Sequence, residues 1–356
     1  MELPNPEHFN YRDCFIAGED CLLITPKVSD GDGIWTPNNL NFRSVILRKT
    51  DGLVISRNFP KFFNYLQSAH LYPDPSKFND WTIENKEDGS TILYSRHNGH
   101  EIIRTRGATS VDVHNTGDEV KHLISELNIG GTYQPGTTLL FENCTPNHRI
   151  VLKYEKPKLV LLDIIRNKDG LFAPKCIVDS TAQILGCERP HKYNFNTIQE
   201  IIDNCKILTD REGYVISFAN NQHKIKLKSI FYIQKHRLKS NFDSLPHVLD
   251  YWFSCGRPQY KEFFNKIQTE IDYETAADSD KFLIQISELA AKSDDIINKC
   301  KSFASSIKKL DRKSAAQQIL QGPLREYSDI LFSALDDKQI TDKMYRKVME
   351  RKLCLN

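Results

Sequence analysis

The 356-residue chain carries 48 basic and 46 acidic residues, and its net charge of +2 excludes a protein that binds nucleic acid through bulk positive charge. Apolar residues make up 40% of the sequence and charged residues 26%, which excludes a wholly disordered chain and leaves room for two domains. Any nucleic acid would therefore bind to a local basic patch.

No apolar stretch of the sequence approaches the ~20 residues that span a bilayer. The first six residues, MELPNP, lack the basic and apolar regions of a signal peptide. None of the nine cysteines belongs to a Cys-x-x-Cys pair, so a zinc site is not expected. Scattered thiols of this kind fit a reducing compartment, and we expect a cytoplasmic protein without a membrane partner.

The first two-thirds of the chain are predicted to be rich in strands, because short β-branched and aromatic runs alternate with turn signals. A hairpin is predicted around Asn98-Gly99, a pair typical of two-residue turns. A helix is predicted over residues 116–127. The predicted strands include residues 44–48, 91–95, 102–105, 149–154 and 158–165.

The pattern changes near residue 245, after which apolar residues recur every three or four positions. Residues 282–290 fit one apolar helix face and residues 296–304 continue a second. We therefore predict a first domain of residues 1–242 and an all-helical C-terminal domain of residues 243–356.

Lysine and glutamate residues suited to catalysis or ligand binding occur at intervals along the strand-rich part of the chain. Residues 86–89, Lys-Glu-Asp-Gly, are weak evidence alone, because a charged turn that ends in glycine is common. Glu142 lies within an apolar run and Glu212 opens another, and a buried carboxylate is costly unless it is paired or binds a ligand. Residues 224–228 alternate lysine with apolar residues, which predicts three lysines on one strand face or a protected sheet edge.

This ordered set resembles the covalent nucleotidyltransferase superfamily, which includes nucleic-acid ligases and mRNA capping enzymes. The nearer resemblance is to the T-even bacteriophage RNA ligase 1 family, and it spans roughly residues 40–235. The segments that carry it are residues 41–45, 55–64, 86–90, 104–107, 138–143, 146–152, 158–163, 211–216 and 224–228.

The resemblance implies an α+β fold: a nucleotidyltransferase (ATP-grasp-like ligase) domain of antiparallel sheets with flanking helices, followed by the all-helical domain. It implies an ATP-dependent RNA ligase that joins 3′-hydroxyl and 5′-phosphate ends in RNA or tRNA repair. AMP would bind covalently to Lys86, move to the 5′-phosphate, and leave when the 3′-hydroxyl attacks. ATP and Mg²⁺, with Mn²⁺ as an alternative, are the implied cofactors.

The family likeness also assigns roles to residues. Lys86 is the implied nucleophile, and Leu162 and Val215 would hold adenine unless they are simply core residues. A free lysine has a pKa of about 10.4 and a protonated amine cannot attack, so nearby positive charges and bound Mg²⁺ would favour the neutral amine. The residues implied for ATP or AMP are Arg43, Lys61, Glu87, Gly89, Arg106, Glu142, Leu162, Val215, Lys226 and Lys228, and those implied for the metal are Glu142 and Glu212.

The sequence departs from the family in two places and leaves other functions open. The family has Arg-Gly at Arg43-Ser44 and a lysine at Arg106.

A DNA ligase or an mRNA guanylyltransferase would use the same lysine chemistry, although each carries a β-barrel after the last lysine motif. A catalytically inactive RNA-binding module is a further alternative. Asp88 is expected to shape the turn, and His148 is expected at the surface without a required role.

The partners implied are RNA ends, tRNA among them, and a separate kinase and phosphatase that prepare those ends. We expect a monomer, located in the host cytoplasm if the source is viral. Residues 235–239, Lys-His-Arg-Leu-Lys, are candidates for RNA-backbone contact, since phosphate binding needs only placed positive charge. The helical domain is expected to select the substrate or to present a solvated face through Lys299, Lys301, Lys308, Lys309 and Lys313.

Overall fold

The computed structural model describes residues 2–27, 33–113, 115–131, 133–148, 150–240, 242, 244–270 and 273–353. The chain divides into two compact units, Met1–His236 and Arg237–Asn356. The sequence predicts a domain boundary between residues 242 and 243, a few residues after this division. That boundary stays a prediction.

The first unit contains mainly strands. In chain order they are β1 (Phe9–Ile16), β2 (Glu19–Pro26), β3 (Val45–Arg48), β4 (Val54–Arg57), β5 (Phe63–Asn64), β6 (Thr82–Asn85), β7 (Ser90–His97), β8 (His100–Thr105), β9 (Thr137–Cys144), β10 (Lys158–Arg166), β11 (Lys192–Tyr193), β12 (Gly213–Phe218) and β13 (His223–Lys228). The helices are α1 (Gly117–Ser125), α2 (Lys175–Leu185), α3 (Ile198–Ile207) and α4 (Ile230–Ser240), the last of which begins in this unit.

Within the described residues these strands form three sheets, with the orders β1-β2-β3-β4, β10-β9-β7-β8 and β11-β6-β12-β13-β5. All neighbouring pairs are antiparallel except β13 with β5. The second sheet packs one face against α1 and α2, and the third buries Tyr214, Ile216 and Ile225 against α3. The opposite faces of the second and third sheets are left to form the site.

Several sequence predictions are confirmed by the structure. Strands β7 and β8 form the hairpin around Asn98-Gly99, where both turn residues have positive φ, as a type I′ turn requires. Helix α1 occupies most of the segment predicted over residues 116–127, and β10 covers the strand predicted over residues 158–165. The α+β arrangement of largely antiparallel sheets followed by a helical unit is therefore confirmed.

The strand predicted over residues 149–154 is wrong. Arg149 lies outside the described residues, and residues 150–154 form an irregular loop. The backbone N–H groups of Val151 and Leu152 donate to the Asp88 carboxylate at 2.8 and 2.7 Å. A side chain thus takes the hydrogen bonds that a neighbouring strand would have taken, and periodicity alone cannot reveal this.

Within its described residues, the regular secondary structure of the second unit is entirely helical. Its helices are α5 (Leu245–Ser254), α6 (Tyr260–Glu270), α7 (Tyr273–Ile307), α8 (Arg312–Gln321), α9 (Ser328–Leu335) and α10 (Asp342–Leu353). The two apolar faces predicted within residues 282–304 both lie on the single long helix α7, which packs against α6, α9 and α10. Across the described residues, no helix is both long and apolar enough to cross a membrane.

Candidate active site

Lys86 follows the last residue of β6 and faces the space between the second and third sheets. Its backbone N–H donates to the carbonyl of Gly213 at 2.9 Å, which extends the β6–β12 pairing by one residue. Its side chain is about one-fifth exposed, and its Nζ lies 2.8 Å from Glu212 Oε2. The lysine is therefore fixed at its backbone and its tip by the Glu212-Gly213 pair.

Glu212 contacts two lysines at once. Its second oxygen, Oε1, lies 2.9 Å from Lys228 Nζ, and the carboxylate is 2% exposed. Gly213 follows with φ of +143°, and a Cβ there would collide with the carbonyl oxygen of Leu227. Only glycine lets β12 lie this close to β13 and aim Glu212 at both lysines.

Glu142 lies on β9 and approaches Lys86 from the second sheet. Its oxygens accept hydrogen bonds from the Gly89 N–H at 3.2 Å and the Thr91 hydroxyl at 3.3 Å. Burial raises the pKa of Glu142 to about 7, against the opposing charge of Lys86 and with the added repulsion of Glu212. The two carboxylates predicted from the sequence thus meet beside the lysine.

A cavity of about 260 Å³, here called the sheet cavity, opens between the two sheets. The register of three paired strands forms one wall of this cavity. Val215 on β12 is paired with Glu84 on β6 and with Lys226 on β13, so the three side chains face the same side. A β-bulge between Leu161 and Asp163 turns Leu162 into the cavity from the opposite wall. Leu162 and Val215 therefore face one slot, together with Phe59, Phe62 and Pro190.

The three lysines of β13 all line the sheet cavity, as their alternation predicts. Lys224 is buried and pairs with Asp163 at 2.8 Å, and burial lowers its pKa to about 8. Lys226 lies 5.5 Å from the Phe62 ring centroid. Burial first, and then the charges of Arg43 and Lys86, lower the pKa of Lys226 to about 7.

A buried charge network at the far end of the sheet cavity was not assigned from the sequence. Lys175 Nζ lies 2.6 Å from Glu84 and 3.1 Å from Asp163, and Arg189 lies 2.5 Å from the other oxygen of Glu84. Asp163 stands in an apolar run, as Glu142 does, so the same reasoning could have found it. Lys175 and Arg189 carry no comparable signal.

A second cavity of about 580 Å³, here called the arginine cavity, lies on the other side of Lys86. It shares Arg43, Lys86, Thr91 and Glu142 with the sheet cavity. Two residues expected to bind ATP, Gly89 and Arg106, line the arginine cavity and not the sheet cavity. A Cβ on Gly89 would collide with the carbonyl oxygen of Asn143.

The remaining expected residues lie around these cavities. Glu87 lines the sheet cavity and accepts a hydrogen bond from Asn85 at 2.8 Å. Lys61 lines a neighbouring cavity, with its Nζ 5.5 Å from the ring of Trp35 and 5.2 Å from that of Phe63. His148 is exposed, and of residues 235–239 the side chains from 236 onward lie outside the described part.

Comparison with known proteins gives the family. The model of the T-even bacteriophage RNA ligase 1 family, described as RNA ligase, matches residues 41–242, more than half of the chain. A protein of Autographa californica nuclear polyhedrosis virus with the provisional name bifunctional polynucleotide kinase/RNA ligase is 27% identical over 57% of this chain and 31% of its own length. A protein of Thermovibrio ammonificans with the provisional name RNA ligase is 23% identical over 64% and 61%. The chain thus spans less than two-thirds of either relative.

Solved structures agree on the fold. An archaeal ATP-dependent RNA ligase matches in two forms, with TM-scores of 0.50 and 0.51 at 18% and 16% identity. These matches cover 78% and 83% of this chain and 74% and 76% of the archaeal chains. From the match over residues 41–242, the chain belongs to the T-even bacteriophage RNA ligase 1 family.

Proposed function

We propose that the protein is an ATP-dependent RNA ligase that joins 3′-hydroxyl and 5′-phosphate ends through AMP bound to Lys86. One observation carries the proposal: Lys86 Nζ lies 2.8 Å from Glu212, where an apolar slot lined with lysines meets a second, larger cavity. A binding module needs no amine held at that junction by a buried carboxylate.

In the first step Lys86 Nζ attacks the α-phosphorus of ATP. The lysine ammonium first releases one proton to solvent. The new P–N bond then forms as the bond to the pyrophosphate oxygen breaks, pyrophosphate leaves, and the nitrogen releases its second proton to solvent. Glu212 orients Nζ, while the positive charges of Lys226 and Lys228 neutralise the phosphate oxygens.

The nucleotide would be held by the walls of the sheet cavity. Leu162 and Val215 give the flat apolar surfaces that a purine needs, and the β-bulge at Leu162 supplies one of them. We propose that Glu142 accepts hydrogen bonds from the ribose hydroxyls. Arg43 lines this cavity, and Arg106 and Lys61 line two neighbouring cavities; all three are proposed contacts for phosphates of ATP or RNA.

The donor set suits a hard divalent cation. Glu142 and Glu212 approach closely enough for Glu212 to raise the pKa of Glu142, and both are buried oxygen donors beside Lys86. Among the described residues no group of three or more metal-binding side chains occurs. Mg²⁺ commonly uses one or two carboxylates and completes its coordination with water and phosphate oxygens. We propose Mg²⁺, with Mn²⁺ as an alternative; when bound, it neutralises charge on the phosphates.

We further propose that the substrates are broken RNAs, tRNAs among them, whose ends are prepared by a separate kinase and phosphatase. The name of the baculoviral relative pairs a polynucleotide kinase with an RNA ligase. The helical unit, proposed as a domain from residue 243, would select the RNA. Within that unit, Lys299 pairs with Asp295 and Lys308 pairs with Asp337. A monomer in the cytoplasm is proposed with it.

Covalent labelling tests the proposal. Incubation with ATP labelled at the α-phosphate and Mg²⁺ should leave label on the denatured protein, and Lys86→Ala should abolish it. Lys206→Ala is a matched control, because Lys206 is exposed on α3 and its ion-pair partner among the described residues is Asp203. An unlabelled wild type, or a labelled Lys86→Ala variant, would refute the mechanism. Preference for GTP would indicate a capping enzyme, and better sealing of nicked DNA than of RNA would indicate a DNA ligase.

A further inference from the structure

The far end of the sheet cavity is closed by a lysine that contacts both of its walls. Lys175 Nζ lies 2.6 Å from a carboxylate oxygen of Glu84 and 3.1 Å from one of Asp163. Glu84 is the cross-strand neighbour of Val215, and Asp163 follows Leu162 on β10. Lys175 therefore joins the two walls that are proposed to hold the base of the nucleotide between them.

The carboxylate of Asp163 is fully occupied by the protein. An ionised carboxylate has about four lone-pair sites for hydrogen bonds. Asp163 accepts from the Ile164 N–H and the Asn221 amide, both at 3.0 Å. It also accepts from Lys175 at 3.1 Å and from Lys224 at 2.8 Å. Asp163 thus anchors the lysines and has no site left for a ligand.

Glu84 and Lys175 keep hydrogen-bonding capacity for a ligand. In the described part of the chain Glu84 accepts from Lys175 and Arg189, one at each oxygen, which leaves about two lone-pair sites. The Lys175 ammonium has three N–H groups and uses two of them on Glu84 and Asp163. Both side chains line the sheet cavity. A donor and an acceptor therefore remain side by side at the end of the slot.

The turn between β12 and β13 holds this arrangement in a strained backbone. Three consecutive residues other than glycine, 219–221, have φ of 54°, 54° and 68°. The buried amide of Asn221 donates to the carbonyl of Ala173 at 2.7 Å as well as to Asp163, so it fastens the chain just before Lys175, the first residue of α2. Strained left-handed residues gather where a ligand site must be held in place.

We propose that Lys175 selects the base of the nucleotide, an inference that rests on the proposed ligase function. Its third N–H donates to a ring nitrogen of adenine, and Glu84 accepts from the 6-amino group. On either edge of adenine an acceptor nitrogen, N1 or N7, lies beside that amino group, so the donor and acceptor of the protein match it. Guanine has the oxygen O6 in place of the amino group, and the same pose would set that oxygen against the Glu84 carboxylate.

Nucleotide analogues test this assignment on the intact protein. Lysyl-nucleotide formation is measured with α-labelled ATP, 1-deaza-ATP and 7-deaza-ATP, which lack one ring nitrogen each. Wild type should use one of the two analogues about tenfold less efficiently than ATP, since a charged hydrogen bond is lost, and that analogue identifies the nitrogen. Lys175→Met removes the donor at similar length. It should raise the KM for ATP about tenfold with a smaller change in the rate at saturation, and it should use that analogue as well as ATP.

Lys192→Met is the matched control, because Lys192 pairs at 2.5 Å with Asp179, a carboxylate beside the same network, and does not line the sheet cavity. It should leave both the KM and the preference for ATP unchanged. A wild type that uses both analogues as well as ATP would overturn the assignment, and this comparison needs no variant to fold. A Lys175→Met variant that still discriminates against the analogue would overturn it too. A wild type that forms no lysyl-AMP from ATP would instead refute the proposed function itself.

Discussion

The carboxylate of Glu212 lies 2.8 Å from the Nζ of Lys86 while its second oxygen holds Lys228 at 2.9 Å. Two lysines brought together from β13 and the end of β6 would repel each other without that buried charge. Glu212 therefore fixes the position of the Lys86 amine relative to an incoming ATP phosphate. Its oxygens are also proposed ligands for the divalent cation. Its two roles follow from one position, directly before β12.

Glu212→Gln keeps the shape of the side chain and removes its charge. We expect lysyl-AMP formation to fall by about a hundredfold or more, the order typical for the loss of one preorganised hydrogen-bonding group from an active site. The measurement is the rate of labelling with α-labelled ATP. Glu188→Gln removes the partly exposed ion pair with Lys158 and should label normally. Wild-type labelling in Glu212→Gln would show that neither lysine depends on this carboxylate.

Metal binding should weaken as pH falls through about 7. Because burial raises the pKa of Glu142 to about 7, the carboxyl is largely protonated below that pH and ionised above it. A cation binds the ionised form, so its apparent affinity should fall about tenfold per pH unit below 7. Titration of the protein with Mn²⁺ by calorimetry at pH 6, 7 and 8 measures this without turnover. Glu142→Gln should flatten the dependence, and an equal affinity at all three pH values in wild type would contradict it.

The sequence predicted those parts of the site that depend on local periodicity. Alternation alone places Lys224, Lys226 and Lys228 on one face of β13, and the register of β12 then sets Val215 opposite Lys226. Glu142 could be singled out because a carboxylate in an apolar run needs a partner. These inferences need only strand geometry and the cost of burying charge.

Other parts depend on contacts that no local pattern encodes. The bulge that turns Leu162 into the cavity is visible only in the pairing of β9 with β10. The network of Glu84, Asp163, Lys175 and Arg189 joins residues more than a hundred positions apart. Arg106 was assigned to ATP from the family motif, yet it lines the larger cavity, and that assignment stays a prediction.

Binding of ATP should be accompanied by proton uptake. Burial, reinforced by Arg43 and Lys86, lowers the pKa of Lys226 to about 7, so at pH 8 much of this lysine is neutral. An incoming polyphosphate favours the ammonium and raises that pKa, so the protein takes up a proton. Calorimetry of ATP binding with the metal chelated, in two buffers of different ionisation enthalpy, measures the uptake. It should decrease as pH falls towards 6.

Lys226→Met provides the comparison for this linkage, because it keeps the length of the side chain and removes the titrating group. The uptake at pH 8 should decrease in this variant. Proton release in wild type, or the same uptake in Lys226→Met, would contradict the assignment. At pH 8 the phosphates of free ATP are fully ionised, so they do not produce the uptake themselves.

Arg104 connects the first sheet to the second from a fully buried position on β8. Its Nε donates to the Ser56 hydroxyl at 2.9 Å and one terminal nitrogen donates to the Ser44 hydroxyl at 2.6 Å. Burial lowers the pKa of Arg104 to about 9, and no carboxylate pairs with it in the described part of the chain. Ser44 follows Arg43 directly, so this contact holds the segment that aims Arg43 at both cavities.

A double-mutant cycle on Arg104 and Ser44 tests that contact. Arg104→Met should lower the free energy of unfolding of the first unit by about 3 kcal/mol, since it strands two buried hydroxyls. Ser44→Gly, which restores the family residue, should cost about 1–2 kcal/mol in wild type and much less when Arg104 is already methionine. Chemical denaturation measures the four proteins. The single Ser44→Gly variant should also raise the KM for ATP while the rate at saturation changes less, because Arg43 loses its anchor. Additive losses of stability would show that the two side chains do not interact.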